Sequence, residues 1–479
     1  MKNRRKSFAL RWLFLCVAAF LLVGVIPLFA QQVETADPPE VTQQDVQEFS
    51  PNRPGGGVHV DANGVMRRHA VMDFGMVSAR QRRALLEASP LRGNVTASSP
   101  MRCISLNRLE EAYSKAVKGD GALTSEMLYL AGIQRISYVF YFPETKDIVI
   151  AGPAEAWYRG YEDLMVGVST DQPVLELRHL VTALRAYAPG GKGGNIVGCS
   201  IDPTEEGIAQ LQQFEQQFNS TRGGTRQAFV QGVRESIGMQ TIRVDGIPAT
   251  THAAQMMVAA DYRMKLLALG IDTIALPVRT GRLQTFIDNT EPNATNALFR
   301  WYFTPNYDSV VLTEDRTGMQ LIGNGVKLVG ENELEGVVVG GLDRGSRAFT
   351  QSFTRLYPQI AGRAPVFAQL RNWVDMLICA AHIQREDFYS KSGWSMEFFG
   401  NEEKFQLETF PAPKEVEPVV GSRLVGRRLV APVGGGVVID AELTLDEENA
   451  KLDTDKKIAE QQKKIALNLP EGVWWWDVK

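Results

Sequence analysis

The sequence is poor in cysteine, in histidine and, beyond its first 30 residues, in long apolar runs. Of four cysteines, Cys16 lies in the N-terminal apolar run, leaving Cys103, Cys199 and Cys379. Three cysteines allow at most one internal disulfide, so the fold does not depend on covalent stapling. Each has apolar neighbours and reads as a buried free thiol. The five histidines, His59, His69, His179, His252 and His382, show no H-x-x-x-H spacing and are not joined by paired cysteines. The usual zinc signatures are therefore excluded, and neither a metal nor a cofactor is expected. No basic block capable of neutralising phosphates follows the N-terminus, so nucleic acid is not an expected partner. With no second long apolar run, any membrane contact is expected through the N-terminal segment.

What is present starts with that segment. Residues 1–30 join a basic stretch (Lys2, Arg4, Arg5, Lys6, Arg11) to the apolar run Trp12 to Phe29, ending at Ala30. This is an export signal, either cleaved after Leu28-Phe29-Ala30 or kept as an N-terminal anchor. It holds five of the 51 basic residues and none of the 55 acidic ones, so the remainder carries a net charge of about −9. Residues 31–56 are rich in Gln, Glu, Pro and Gly and read as a flexible leader. The chain is long enough for two or three domains.

The stretch that organises the rest is Thr241 to Asp272, read as a strand, a Gly-Ile-Pro turn and one long helix. Ala253, Met256, Met257, Ala260, Met264, Leu267 and Ala268 form a stripe at helical spacing. The opposite arc carries Val258, Ala259, Tyr262, Leu266 and Leu269, so other elements must wrap the helix on most sides. Thr250 or Thr251 is the expected N-cap, and Gly270 the glycine that ends it. Asp261 and Lys265 are spaced i, i+4 with the acid first. Arg263 is expected on the far side near His252, needing a partner from another segment. These charges read as internal braces, with a charged pocket wall as the alternative. Lys265 is expected to reach water by its long stem.

Residues 57–100 read as a small hairpin and helix region: Val58 to Met66 turning at Asn63-Gly64, a helix over Arg80 to Ala88, and a loop from Asn94 to Met101. The pair Asp61 and Asn63 lacks the further ligands of a calcium loop. Residues 101–300 read as a central mixed α/β domain. Its elements are a helix capped by Ser105, a second capped by Ser125, a strand pair Ile136 to Phe142 and Asp147 to Ala151, a helix Val174 to Ala188, and a strand Asn195 to Asp202. Asp202-Pro-Thr-Glu205 reads as a capping box opening the next helix. Pro189 to Gly194 lacks the Lys-Ser/Thr of a phosphate loop and reads as a mobile connection.

Residues 301–445 read as a strand-rich region with a helix pair, Arg344 to Ile360 and Pro365 to Arg385. Its strands are placed at Ser309 to Thr313, Met319 to Ile322, Val326 to Val329, Phe405 to Phe410 and Leu424 to Ala431. The aromatic run Arg300 to Tyr307 reads as core. Residues 446–479 read as a solvated charged helix and a Trp-rich tail, in which Trp474, Trp475 and Trp476 cannot all face one way. At least one should dock on the body or on a partner. The fold class is thus mixed, α+β or α/β: a central strand–helix region followed by antiparallel strands with a helix pair.

The blocks CISLNRLEEA, RISYVFYFPETKDIVIAGPAEAW, GCSIDPTEEGIAQLQQF, DGIPATTHAAQMMVAADYRMKLLALGI, RWYFTPNY, PVFAQLRNWVDMLICAAHI and FQLETFPAPKEV, with ADYRMK the most specific patch, resemble a family of large exported proteins of planctomycete-type bacteria. That family is defined only as a domain of unknown function. The resemblance runs from about Cys103 to Ala441 and implies export without implying an activity, so no catalytic residue is assigned through it.

The sharpest catalytic candidate is Gly198-Cys-Ser-Ile-Asp202, a G-x-S-x stretch before a helix. Asp202 stands where a nucleophile elbow has glycine. Ser200 or Cys199 would need His252 or His382 as base. The leading reading is an exported, non-enzymatic periplasmic or cell-envelope protein that binds or scaffolds, with an envelope protein or polymer as partner. The alternative is an exported hydrolase of unknown substrate.

Overall fold

The computed structural model describes residues 57–69, 79–87, 91, 93–119, 123–160, 164–220, 225–290, 299–306, 310–334, 344–421, 423–425, 428–430, 434–467 and 470–478. The expected export signal, the leader and Tyr307 lie outside the described residues. The chain from Pro51 onward is one compact unit of mixed α+β structure built on two large, mostly antiparallel sheets. The first runs, in spatial order, β1 (Val58–Val60), β2 (Val65–Arg68), β14 (Glu415–Val416), β9 (Gln240–Asp245), β8 (Ile196–Asp202), β17 (Gly434–Asp440), β10 (Arg300–Pro305) and β13 (Val326–Gly330). The second runs β18 (Lys451–Leu452), β11 (Val310–Leu312), β12 (Gly318–Leu321), β4 (Tyr138–Phe142), β5 (Asp147–Ala154), β3 (Ser99–Ser105) and β19 (Trp475–Asp477). Two further hairpins are β6 (Trp157–Arg159) with β7 (Met165–Gly167), and β15 (Arg423–Val425) with β16 (Arg428–Val430).

The helix His252–Ala268 lies on the face of the first sheet over β8 and β17. Helices Leu177–Ala186 and Pro365–Arg385 cover its other side. All its residues are buried, as its nearly uninterrupted apolar surface requires. Thr251 is the N-cap, its hydroxyl accepting from the Ala254 N–H at 3.3 Å. Gly270 ends the helix at φ 65°, with the Ile271 N–H on Leu266 O and the Gly270 N–H on Leu267 O. That pair of bonds satisfies carbonyls the last turn leaves open. Helices Arg344–Ala361 and Pro365–Arg385 form the expected pair, joined across residues 362–364.

Several local expectations are corrected. Ser99 to Met101, expected as the end of a loop, belong to β3: Pro100 and the wholly buried Arg102 break the alternation that marks a strand, and a register irregularity accommodates them. Thr124, not Ser125, caps the helix Ser125–Leu128. Phe405 to Phe410 is not a strand; the Arg185 guanidinium takes Phe405 O, and the Phe410 N–H binds Thr250 O. β12 and β13 belong to different sheets although a Gly-Asn-Gly turn joins them. The tail helix, Lys457–Leu467, is docked and not solvated: Ile458 and Ile465 are buried against the second sheet with Phe140, Trp476 and Val478.

Trp476 docks on the body as part of β19, paired with Cys103 of β3. Arg102 fixes this strand, donating from Nε and Nη2 to the two carboxylate oxygens of Asp477 at 2.8 and 3.0 Å. Its Nη1 also donates to Ala131 O at 2.6 Å, and its guanidinium lies 4.7 Å from the Trp475 ring centroid. Deleting Val473 to Lys479 removes the carboxylate partner of a buried arginine and bares the β3 edge. The expected cost is about 3–5 kcal/mol, with association through the open edge. A truncated chain that melts like the parent and stays unchanged in light scattering would refute this.

Candidate functional site

The helix His252–Ala268 buries His252, Gln255, Asp261, Arg263 and Lys265 within an otherwise apolar surface. On its sheet-facing side, Lys265 Nζ donates to Asp261 Oδ2 at 2.9 Å and to Ile201 O at 3.3 Å. Asp261 is wholly buried and its Oδ1 has no hydrogen-bond partner. Burial pushes the Asp261 carboxyl up to about 6, against the pull of Lys265. The strand Gly434-Gly435-Gly436 crosses this carboxylate: a Cβ on Gly435, whose φ is 147°, would lie 3.2 Å from Asp261 Oδ1 and 2.3 Å from Trp301 O. Next to the pair, Arg300 reaches Asp202 at 3.5 Å and Glu331 at 2.8 Å. Asp202 thus braces β8 to β10, and the cap expected of it falls to Thr204, whose hydroxyl accepts from the Gly207 N–H. Tyr302 beside them is pushed up to about 12 by burial and by the Asp202 charge.

Arg263 finds its carboxylate in Asp272, nine residues on, with Nε donating to Oδ2 at 3.1 Å. That partner lies in the same stretch of chain and not, as expected, in another segment. Lys265 does not reach water either; it is 4% exposed, because the underlying sheet closes over its ammonium and supplies a backbone carbonyl.

His252 instead meets His179, Nε2 of His179 and Nδ1 of His252 lying 2.8 Å apart inside the core, with the rings stacked. A hydrogen bond between two imidazoles needs one donor and one acceptor, so this contact is made with the bridging acceptor nitrogen unprotonated. Phe410 packs edge-on against His252, and Trp373 edge-on against His179. Glu176 and Arg178 flank them, bonded to each other at 2.5 Å. Burial first, then the Arg178 charge, lowers both histidines: His179 to about 4, although Glu176 pulls it upward, and His252 well below 6.5. The pair was not legible in the sequence, where 73 residues separate its members. The available signal was a histidine set on an apolar helix face at each position.

Because these histidines titrate lower when folded, their stabilising contribution is complete above pH 6.5 and is lost as pH falls through their folded values. His382, lowered to about 3 by burial, has the same sign. Asp261, raised to about 6, has the opposite sign: its contribution is present below 3.8 and lost as pH rises through 6. Three histidines outweigh one aspartate, so the denaturation midpoint is expected to drop from pH 7 to pH 5. His179→Gln should flatten that dependence, His179 contributing up to about 3 kcal/mol across its titration. A midpoint equal at the two pH values would contradict the assignment.

The proposed nucleophiles are not assembled with a base. Ser200 and Cys199 lie within β8, facing Arg243 and Val244 of β9 on one side and Gly436 and Val437 of β17 on the other. The strand runs on to Asp202 before the chain turns, so neither residue occupies a strand-to-helix elbow. Burial raises the Cys199 thiol well above its ordinary value. His252 is engaged by His179, and His382 is buried edge-on against Phe388. Cys103, Cys199 and Cys379 are all buried free thiols. Among the described residues, no three His, Cys, Asp or Glu side chains converge on a point that could hold a metal, and no helix is long and apolar enough to cross a membrane.

At the C-terminal end of the central helix, residues 272–285 enclose a cleft of about 410 Å³ lined by Leu267, Ile274, Leu276, Leu283, Asp272 and Arg282. Asp272 is the residue that holds Arg263, so the cleft and the buried charges share a wall.

The site is thus a braced ionic seam with a half-open apolar cleft at one end, within a mixed α+β body. Residues 199–280, from β8 to just beyond the central helix, match a family described as a protein of unknown function (DUF1598). The matched segment holds Asp202, His252, Asp261, Arg263, Lys265 and Asp272, and is narrower than the resemblance drawn from the sequence. No curated protein and no solved structure matches the chain.

Proposed function

We propose that the protein is exported and acts without catalysis in the periplasm or cell envelope, binding or scaffolding an envelope protein or polymer. The observation that carries the binding reading is the cleft at the end of the central helix, with Val278 on its rim 98% exposed. An apolar side chain left so fully in water beside a concave apolar wall is the composition of a contact surface. The buried charges support the same reading, because each is taken up as a brace: Asp261 by Lys265, Arg263 by Asp272, and Arg300 by Asp202 and Glu331. Export, from a planctomycete-type envelope, rests on the basic and apolar N-terminal segment and on the resemblance of the central blocks.

Fractionation should place the protein outside the cytoplasm, with the mature N-terminus near Gln31 if the signal is cleaved. Activity-based serine and cysteine probes should leave the purified protein unlabelled, and Ser200→Ala and Cys199→Ala should change nothing. Labelling lost in either variant would favour the hydrolase reading, and intact Met1 in the cytoplasmic fraction would end the export reading.

A further inference from the structure

Away from the central seam, two arginines lie near one carboxylate, and one of them is bonded to it. Arg135, in the segment entering β4, donates from Nε to Asp375 Oδ2 at 2.8 Å and from Nη1 to Gly323 O at 2.8 Å. Arg371, one turn before Asp375 on the helix Pro365–Arg385, lies against the same cluster. Arg135 Nη2, Arg371 Nε and Asp375 Oδ1 are buried without a hydrogen-bond partner. The Gly323-Asn324-Gly325 turn between β12 and β13 closes over them; a Cβ on Gly325 would stand 3.1 Å from Arg135 Nη2, 3.1 Å from Arg371 Cγ and 3.2 Å from Asp375 Oδ1. Asp375 is 1% exposed, Arg135 is 20% exposed, Arg371 is half-buried, and Gly323 in the turn above them is exposed.

The charge does not balance. Among the described residues, Asp375 is the carboxylate that acts on both guanidiniums. A guanidinium does not shed its proton to relieve burial, so an uncompensated one needs an acceptor from outside. Its planar fork matches the paired oxygens of a carboxylate or sulfate. With Asp375 already in place, the cluster carries one excess positive charge, which a monoanion cancels and a dianion overshoots.

We propose that Arg371, with Arg135 behind it, forms a binding site for a monoanionic oxyanion group, a carboxylate or sulfate ester, entering beside the Gly323–Gly325 turn. The site is independent of the cleft at residues 272–285 and of where the protein resides. Titration calorimetry of the full chain with sodium galacturonate and with polygalacturonate, against sodium chloride of equal ionic strength, tests it. Saturable binding of the monomer identifies a free small acid as sufficient, and binding of the polymer alone identifies a polymer-borne group; either supports the site. Arg371→Met should weaken binding by about tenfold or more while leaving the ligand-free melting temperature close to that of the parent, since the buried Arg371 Nε makes no hydrogen bond for the change to break. Arg371→Lys, which keeps the charge and loses the fork, should also bind more weakly, and carries the comparison if the methionine variant does not fold. Binding to neither acid, or equal binding by parent and variants, overturns the proposal.

Discussion

Asp261→Ala is expected to lower stability by about 3–5 kcal/mol, because it leaves the Lys265 ammonium buried beside the sheet with a single backbone carbonyl. Lys265→Ala should cost less for a different reason from exposure. The carboxylate left behind already titrates near 6 and can take a proton, so the site becomes neutral at modest expense. Replacing both members, as Asp261→Leu with Lys265→Met, should recover most of the loss, since a well-packed apolar pair of similar volume commonly matches a buried ion pair or exceeds it by about 1–4 kcal/mol. Denaturation midpoints of the parent, Asp261→Leu, Lys265→Met and the variant carrying both form a double-mutant cycle. Costs that simply add in the double variant, or single variants that melt like the parent, would show that the two charges are not coupled braces.

Gly435→Ala should be the most damaging small substitution in the first sheet, about 4 kcal/mol or more, because it combines backbone strain with a collision. Its Cβ would stand 2.3 Å from Trp301 O, a backbone atom in a strand paired on both sides, which cannot rotate away. Gly190 is the control: its φ is 72°, but a Cβ there meets nothing within 4 Å. Gly190→Ala should cost only the conformational strain, about 1–2 kcal/mol. Equal melting temperatures for the two alanine variants would mean that β17 shifts freely, against the close approach described here.

The central helix was legible because its information is local. Periodicity fixed the buried stripe, the threonine pair Thr250-Thr251 and Gly270 marked the ends, and the i, i+4 spacing pointed to the Asp261–Lys265 pair. β4 and β5 were legible for the same reason, as two apolar runs across Pro143-Glu-Thr-Lys. What stayed hidden depends on partners far away in sequence. Nothing near His252 announces His179, nothing near Asp202 announces Arg300, and the strand character of β3 depends on β5 and β19. The alternation of Phe405 to Phe410 misled in the opposite direction: the pattern of a strand is there, but Arg185 and Thr250 take the carbonyl and amide groups that a neighbouring strand would need. Lys265 shows the limit of a residue-level rule, since its stem is long enough to reach water and the sheet over it leaves no route.

The place of β17 between β8 and β10 has a consequence for time. Those two flanking strands are synthesised long before it, β8 by roughly 230 residues, and the sheet cannot join until Gly434 to Asp440 arrives to fill the gap. A growing chain that stops short of Gly434 holds two strands with unpaired edges facing an empty slot, a species prone to sticking to others like it. Closure of this sheet therefore has to wait for β17, and until then the chain depends on whatever keeps nascent polypeptides apart.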